Sequence, residues 1–254
     1  PEYPFWGGGD FAGEVAAVGA AVEGWAVGDR VAVDPTITCG ECRYCEAGEQ
    51  SMCAEYEVFG EHRKGGFAEY ATVPRGSLVS VPDGVAFETA AAAPMVTGTA
   101  FRALLSRADL EPYENLLVVG ATGGVGHMAV QIATEVVGVD TLYGTTSTDE
   151  KAEFLRELGV DHVIDYTEED FDSRVWELTG GEGVDVAYNN AGGETWVQSM
   201  RALGTGGRLV TSGATAGPNP ETELRLVFVR QLEILGSTAH SSTDLRHALE
   251  YVWD

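Results

Sequence analysis

The chain is 254 residues long and 44% hydrophobic, enough to fill the core of one large domain or of two ordinary ones. Its 40 Asp and Glu against 15 Lys and Arg give a formal charge of −25, and the only lysines are Lys64 and Lys151. That balance argues against nucleic-acid binding by phosphate neutralisation, no run approaches the ~20 apolar residues of a membrane-spanning helix, and the start has no basic, apolar, small-residue signal pattern, so the expected location is the cytoplasm.

The carboxylates are spread through every segment, as on a solvated surface suited to high salt, where added ions screen self-repulsion. Thermal stability should therefore rise steeply with salt, and a melting temperature flat between low and molar salt would refute this. The chain opens at Pro1 in an extended pattern and stops at Tyr251-Val252-Trp253-Asp254 within a helical one, so both ends read as cut.

All four cysteines lie in one window, Cys39, Cys42, Cys45 and Cys53, with gaps of two, two and seven residues. Two-residue gaps let thiolates converge on one ion, and Gly40 and Gly48 supply permissive backbone for a tight loop. Disulfides do not suit a chain without a secretion signal, and free thiols have no reason to cluster. The expectation is one structural zinc, whose closed shell of four thiolates leaves no position for substrate.

A strand pattern at Asn115 to Val119 runs into Gly120-Ala121-Thr122-Gly123-Gly124-Val125-Gly126 and then a helical pattern, His127 to Ala133. Strand, glycine turn and helix together let a pyrophosphate approach the first helical N–H groups. Strands are expected next at Thr141 to Thr145, Val163 to Asp165, Val184 to Tyr188, Arg208 to Thr211 and Leu232 to Leu235. Helices are expected at Glu150 to Leu158, Phe171 to Leu178, Glu194 to Leu203 and Glu221 to Arg230. Six strands with intervening helices give an α/β fold, a doubly wound parallel sheet of Rossmann type that binds a dinucleotide.

Where an NAD enzyme offers a carboxylate to the adenosine ribose, at the end of the second strand, this chain has Gly144-Thr145-Thr146-Ser147, with Lys151 one turn into the next helix. Small hydroxyl residues leave room for a 2′-phosphate and Lys151 would counter its charge, so NADP(H) is expected ahead of NAD(H). Asn190-Ala191-Gly192 follows the fourth strand, where nicotinamide would lie.

A four-cysteine loop ahead of a dinucleotide fold, with Gly28-Asp29-Arg30-Val31 before it and Gly65-Gly66-Phe67-Ala68-Glu69-Tyr70 between, resembles the medium-chain dehydrogenase/reductase superfamily of zinc alcohol dehydrogenases and quinone oxidoreductases. The resemblance implies a GroES-like, partly open β-barrel catalytic domain at 1–95 with the zinc lobe at 39–53. It further implies the dinucleotide domain at 96–238 and, at 239–254, the start of a return to the catalytic domain. It also implies that the family's first fifty or so residues and last few dozen are absent.

The departures bear on mechanism. The family's Gly-His-Glu motif, whose His binds a catalytic zinc, aligns with Gly8-Gly9-Asp10, and the Cys that serves as a second ligand aligns with Met95, ahead of Thr99-Ala100-Phe101. A thioether is a poor zinc ligand beside thiolate or imidazole. Asp10 is the one weak candidate left for a catalytic group, and quinone and enone reductases of this superfamily lack the catalytic zinc in the same manner. Short-chain dehydrogenases share Gly120-x-x-x-Gly124-x-Gly126 and Asn189-Asn190-Ala191-Gly192, but their Tyr-x-x-x-Lys pair is excluded, because Gly60 and Ser147 stand four residues before the two lysines.

The expected activity is therefore an NADPH-dependent oxidoreductase delivering hydride to a quinone, enone or other activated carbonyl or alkene without catalytic zinc. The alternatives are a zinc alcohol dehydrogenase with an unusual ligand set and a catalytically silent cofactor-binding homologue. His62 and His127 are expected to be structural or surface residues. The sixth strand is expected at a sheet edge, which in this superfamily often pairs across a dimer, so a homodimer or homotetramer is expected.

Overall fold

The computed structural model describes residues 3–253. Two compact units divide the chain, one comprising 1–98 with 239–254 and the other 99–238.

In the first unit, β1 (Ala12–Glu14) pairs antiparallel with β2 (Arg30–Val33), Ala12 opposite Ala32. The antiparallel hairpin partners β3 (Thr36–Ile37) and β4 (Glu57–Val58) close the base of the cysteine loop, within which α1 (Arg43–Glu46) forms one turn. β5 (Leu78–Ser80) completes a three-stranded sheet on the far side of β2. α2 (Phe87–Phe101) follows, built on the run of alanines from Ala90 to Ala93 and carrying Pro94 inside it.

In the second unit the apolar run of β6 (Asn115–Val119) leads through the glycine turn to α3 (Gly124–Gln131). Then come β7 (Thr141–Thr146), α4 (Asp149–Glu157), β8 (His162–Asp165), α5 (Phe171–Leu178), β9 (Val184–Asn189), α6 (Thr195–Ala202), β10 (Leu203–Thr211), α7 (Leu224–Val229) and β11 (Glu233–Gly236). The sheet order is β11-β10-β9-β6-β7-β8, every neighbour parallel. The order reverses between β6 and β9, and in a doubly wound sheet that reversal opens a crevice at the carboxyl ends of the strands. One face of the sheet is sealed by Phe171, Val175, Trp196 and Met200 packing on Leu117, Ala187 and Leu209.

Most element boundaries shift from the sequence expectation, usually by a residue or two, and those of β10, α7 and β11 have physical reasons in the fold. β10 starts at Leu203 rather than Arg208, because Gly206 at φ +79 absorbs an irregularity between Leu203 and Arg208 and lets pairing with β9 resume. α7 is shorter than 221–230, because Glu223, in an extended conformation, caps the helix by accepting the Arg225 N–H. The edge strand β11 runs one residue further along the chain than Leu232 to Leu235, leaving Leu232 in the core.

The chain then returns to the first unit as α8 (Ser242–Trp253). Its start is a reciprocal box: Ser241 N–H donates to Asp244 Oδ2 at 2.9 Å and Asp244 N–H to Ser241 Oγ at 3.0 Å. Leu245 and Leu249 pack on Ala93, and Trp253 on Ala32 and Val81.

Candidate cofactor and metal sites

The glycine turn is held to the sheet by the next strand. Gly120 N–H donates to Thr145 Oγ1 at 3.0 Å, Ala121 N–H to the Thr145 carbonyl at 3.2 Å, and Gly123 N–H to the Gly120 carbonyl at 3.0 Å. Two glycines are sterically obligatory. Gly120 has φ +71, and a Cβ on Gly126 would lie 2.2 Å from the Gly120 carbonyl oxygen. Gly123 caps α3 in an extended conformation, so the N–H groups of Gly124, Val125 and Gly126 stand at the helix start, where the macrodipole favours an anion.

At the end of β7 the two threonines part company. Thr145 is fully buried and its hydroxyl accepts the Gly120 N–H, bracing the turn from within the sheet. Thr146 is 2% exposed and its Oγ1 has no hydrogen-bond partner among the described residues. A buried hydroxyl without a partner costs free energy unless a ligand completes it. Ser147 is half-buried, and Lys151 is exposed in the first turn of α4, its N–H capped by Thr148 Oγ1 at 3.3 Å.

Asn189 is a residue that sequence reasoning passed over. Its Oδ1 accepts the N–H groups of Ala191 and Gly192, both at 2.9 Å, while its Nδ2 donates to Thr195 Oγ1 at 3.0 Å and Ser199 Oγ at 2.8 Å. One side-chain amide thus shapes the 190–193 turn. That turn is bonded to the loop after β10 by Ala216 N–H to the Ala191 carbonyl at 2.7 Å and Gly193 N–H to the Gly217 carbonyl at 3.0 Å.

Among the described residues, Cys39, Cys42, Cys45 and Cys53 are the one group of three or more metal-ligating side chains that converge, all four sulfurs within 4.8 Å of one another. The separations are 3.9 Å for Cys39–Cys45 and 3.6 Å for both Cys42–Cys45 and Cys53–Cys39. Sulfurs placed ~2.3 Å from a tetrahedral zinc are about 3.8 Å apart, so the cluster fits that ion. Gly40 and Gly48, both at φ +79, supply the left-handed corners of the loop. The Cys45 N–H lowers the Cys42 thiol to about 7, while burial and hydrogen bonds with Cys53 and Cys42 raise the Cys39 thiol to about 11.

Gly9 faces the Phe59 carbonyl, which a Cβ there would meet at 3.1 Å, and Met95 is half-buried in α2. Asp10 is exposed at its tip, while the protein packed around it raises its carboxyl above the usual value. Near Gly9 a cavity of about 510 Å³ is lined by Trp6, Phe59, His62, Arg63, Lys64 and Tyr70 among others. Its rim gathers two cations of a strongly acidic chain, with Lys64 Nζ 4.6 Å from the centre of the Trp6 ring. His62 Nδ1 accepts the Val58 N–H at 3.1 Å and so closes a loop. His127 Nδ1 lies 3.0 Å from the Gly123 carbonyl.

Residues 124–254 match the family described as zinc-binding dehydrogenase, and residues 1–83 match the alcohol dehydrogenase GroES-like domain. The chain belongs to the zinc-binding dehydrogenase family. This zinc-binding dehydrogenase is thus an oxidoreductase of the medium-chain superfamily, with a GroES-like domain followed by a dinucleotide-binding domain, in a family that uses NAD(P). It is 34% identical to an acryloyl-coenzyme A reductase of Metallosphaera sedula over 98% of this chain and 72% of that one. The crystal structure of an NAD-dependent alcohol dehydrogenase superposes with a TM-score of 0.95 at 36% identity, covering 99% of this chain and 73% of that one. The 2-octenoyl-CoA carboxylase reductase CinF, solved with NADP and 2-octenoyl-CoA, gives 0.90 at 26% identity over 98% of this chain and 60% of that one. No helix among the described residues is long and apolar enough to cross a membrane.

Proposed function

We propose that this dehydrogenase is an NADPH-dependent reductase of an activated alkene or carbonyl, such as a quinone, an enone or an unsaturated acyl thioester, working without a catalytic zinc. The observation that carries this reading is the pair Gly9 and Met95 in the two positions where the resemblance calls for a His and a Cys ligand. An acceptor already polarised by conjugation takes hydride without the Lewis acid that alcohol oxidation needs. Likeness to an acryloyl-CoA reductase and to a 2-octenoyl-CoA carboxylase reductase supports the alkene arm. Lys64, which lines the cavity near Gly9, suits an acceptor that carries negative charge, while Arg63 beside it is paired with Glu57.

NADPH, when bound, supplies the hydride. The chain's part is to hold and orient it. Gly120 and Gly126 keep the turn open, the first N–H groups of α3 receive the pyrophosphate, Thr146, Ser147 and Lys151 take the adenosine ribose and its phosphate, and Asn190 stands at the nicotinamide end. The four cysteines hold a structural zinc.

Assay with an enone or quinone and NADPH tests the reading. Turnover should persist in a mild chelator that spares the buried cysteine site, with one zinc per chain, while simple alcohols should be poorer substrates by about a thousandfold in kcat/KM. Two zincs per chain, with alcohol oxidation lost when one is stripped, would replace it with an alcohol dehydrogenase of unusual ligand set, including Asp10.

For assembly we propose pairing of two copies along β11. The edge strand exposes Ile234, and α7 beside it in the chain exposes Leu224, Phe228 and Val229, an apolar patch that water penalises. Phe228→Glu should convert a dimer or tetramer to smaller species on size-exclusion chromatography with light scattering; an unchanged mass would count against this interface.

A further inference from the structure

β9 lies inside the parallel sheet, with Tyr188 in register with Val118 of β6 on one side and Val210 of β10 on the other. The Tyr188 side chain is fully buried. A phenol in such a place costs free energy unless its hydroxyl finds partners, and a Phe would fill the same volume without that demand. The hydroxyl lies 2.5 Å from Ser212 Oγ, at the first residue past β10, and is also bonded to the side chain of Asn190, the first residue past β9. Burial pushes the phenol up to about 12 although both bonds act the other way, so it stays protonated and the bonds persist through the neutral range.

Both partners are half-buried, so each keeps part of its surface open at the carboxyl edge of the sheet. They also sit beside the glycine turn. Asn190 Oδ1 is 3.9 Å from where a Cβ on Gly120 would stand, and the Asn190 carbonyl oxygen is 2.8 Å from where one on Gly213 would stand. Asn189 fixes the backbone of the 190–193 turn from the α6 side, opposite on β9 by strand alternation, whereas the side chains of Asn190 and Ser212 meet at the Tyr188 hydroxyl. The Tyr188 hydroxyl adds a side-chain link between the two strand ends to the backbone bonds that already join the 190–193 turn to the loop after β10.

We propose that Tyr188 is a positioning residue for the nicotinamide end of the cofactor, tying Asn190 and Ser212 together so that an amide and a hydroxyl are presented in fixed orientation to the amide-bearing ring. This rests on the reading of the carboxyl edge as an NADPH site. Tyr188 touches neither substrate nor cofactor; it acts through the two side chains it holds, and removing its hydroxyl leaves the adenosine half of the site unaltered.

Fluorescence titration with NADPH, and competition with 2′,5′-ADP, which carries the adenosine half but no nicotinamide, separate the two ends. Tyr188→Phe should weaken NADPH about three- to tenfold and lower the emission enhancement of the bound ring, with 2′,5′-ADP affinity unchanged. Ser212→Ala removes the Tyr188 bond together with the hydroxyl presented to the ring, so it should weaken NADPH at least as much, and Tyr188→Phe should cost less in the Ser212→Ala background than in the parent. Should Tyr188→Phe fold poorly, Asn190→Ala and Ser212→Ala decide the matter: held by one hydroxyl they should couple, the double variant falling short of the product of the single losses, and a full product overturns the proposal. Equal weakening of both ligands, or NADPH binding unchanged in the variants, overturns the proposal alone. A parent chain that binds neither NADPH nor 2′,5′-ADP overturns it together with the cofactor reading.

Discussion

Cys42→Ser should reduce bound zinc from one per chain to well under half, measured by plasma emission on dialysed protein, and lower the melting temperature by about 10 °C. The size of the effect follows from the loop's construction. Between β3 and β4 the segment has one four-residue helical turn and a short 3-10 turn, Gln50–Met52, and within 38–56 the buried residues are Cys45 and Cys53. On the structural-zinc reading its order depends on four sulfurs, all within 4.8 Å of one another, meeting one ion. Losing one thiolate leaves three ligands around a dication and frees the backbone that the fourth had fixed. Hydroxyl for thiol changes volume little, so a stability loss of this size cannot come from packing. Full zinc content and an unshifted melting temperature in Cys42→Ser would refute the structural-zinc assignment.

Thr146→Asp should reverse the cofactor preference, weakening NADPH about a hundredfold while NADH gains or holds. Thr146 ends β7 beside the glycine turn proposed for the pyrophosphate, and its buried Oγ1 lacks a partner among the described residues. A carboxylate there would accept hydrogen bonds from the two ribose hydroxyls of NADH, whereas next to a 2′-phosphate it places like charges in contact, at a cost of several kcal/mol. Lys151, exposed one turn into α4, would lose its anionic partner, so Lys151→Ala should weaken NADPH in the parent and leave NADH unaffected. Dissociation constants for both nucleotides in parent and variant are the check. Equal affinities for NADPH and NADH in the parent would count against the assignment.

Much of this architecture was legible in the sequence because two physical signals are local. Strand and helix patterns alternate along 115 to 236 with short connections, and helix α5 falls at Phe171 to Leu178 as its pattern predicts. The cysteine spacing is equally local, since two-residue gaps confine thiolates to one loop. Boundaries set by tertiary pairing were less legible. The early start of β10 depends on β9 lying beside it, and no pattern within residues 203 to 207 announces a strand broken by three glycines.

The sequence by itself determined the doubly wound sheet, the glycine turn, the four-thiol cluster and the departures at Gly9 and Met95, because each is written in residue identity at fixed spacing. Only the tertiary structure decided which of two adjacent threonines is free for a ligand. Thr145 and Thr146 are chemically alike, and strand alternation turns one toward the Gly120 amide while leaving the other without a partner. It also brought Tyr188 to Ser212, 24 residues apart, because parallel pairing of β9 with β10 sets their carboxyl ends side by side. A hydroxyl's function depends on what stands within about 3 Å of it, and that distance is fixed by the packing of the sheet, not by the order of the chain.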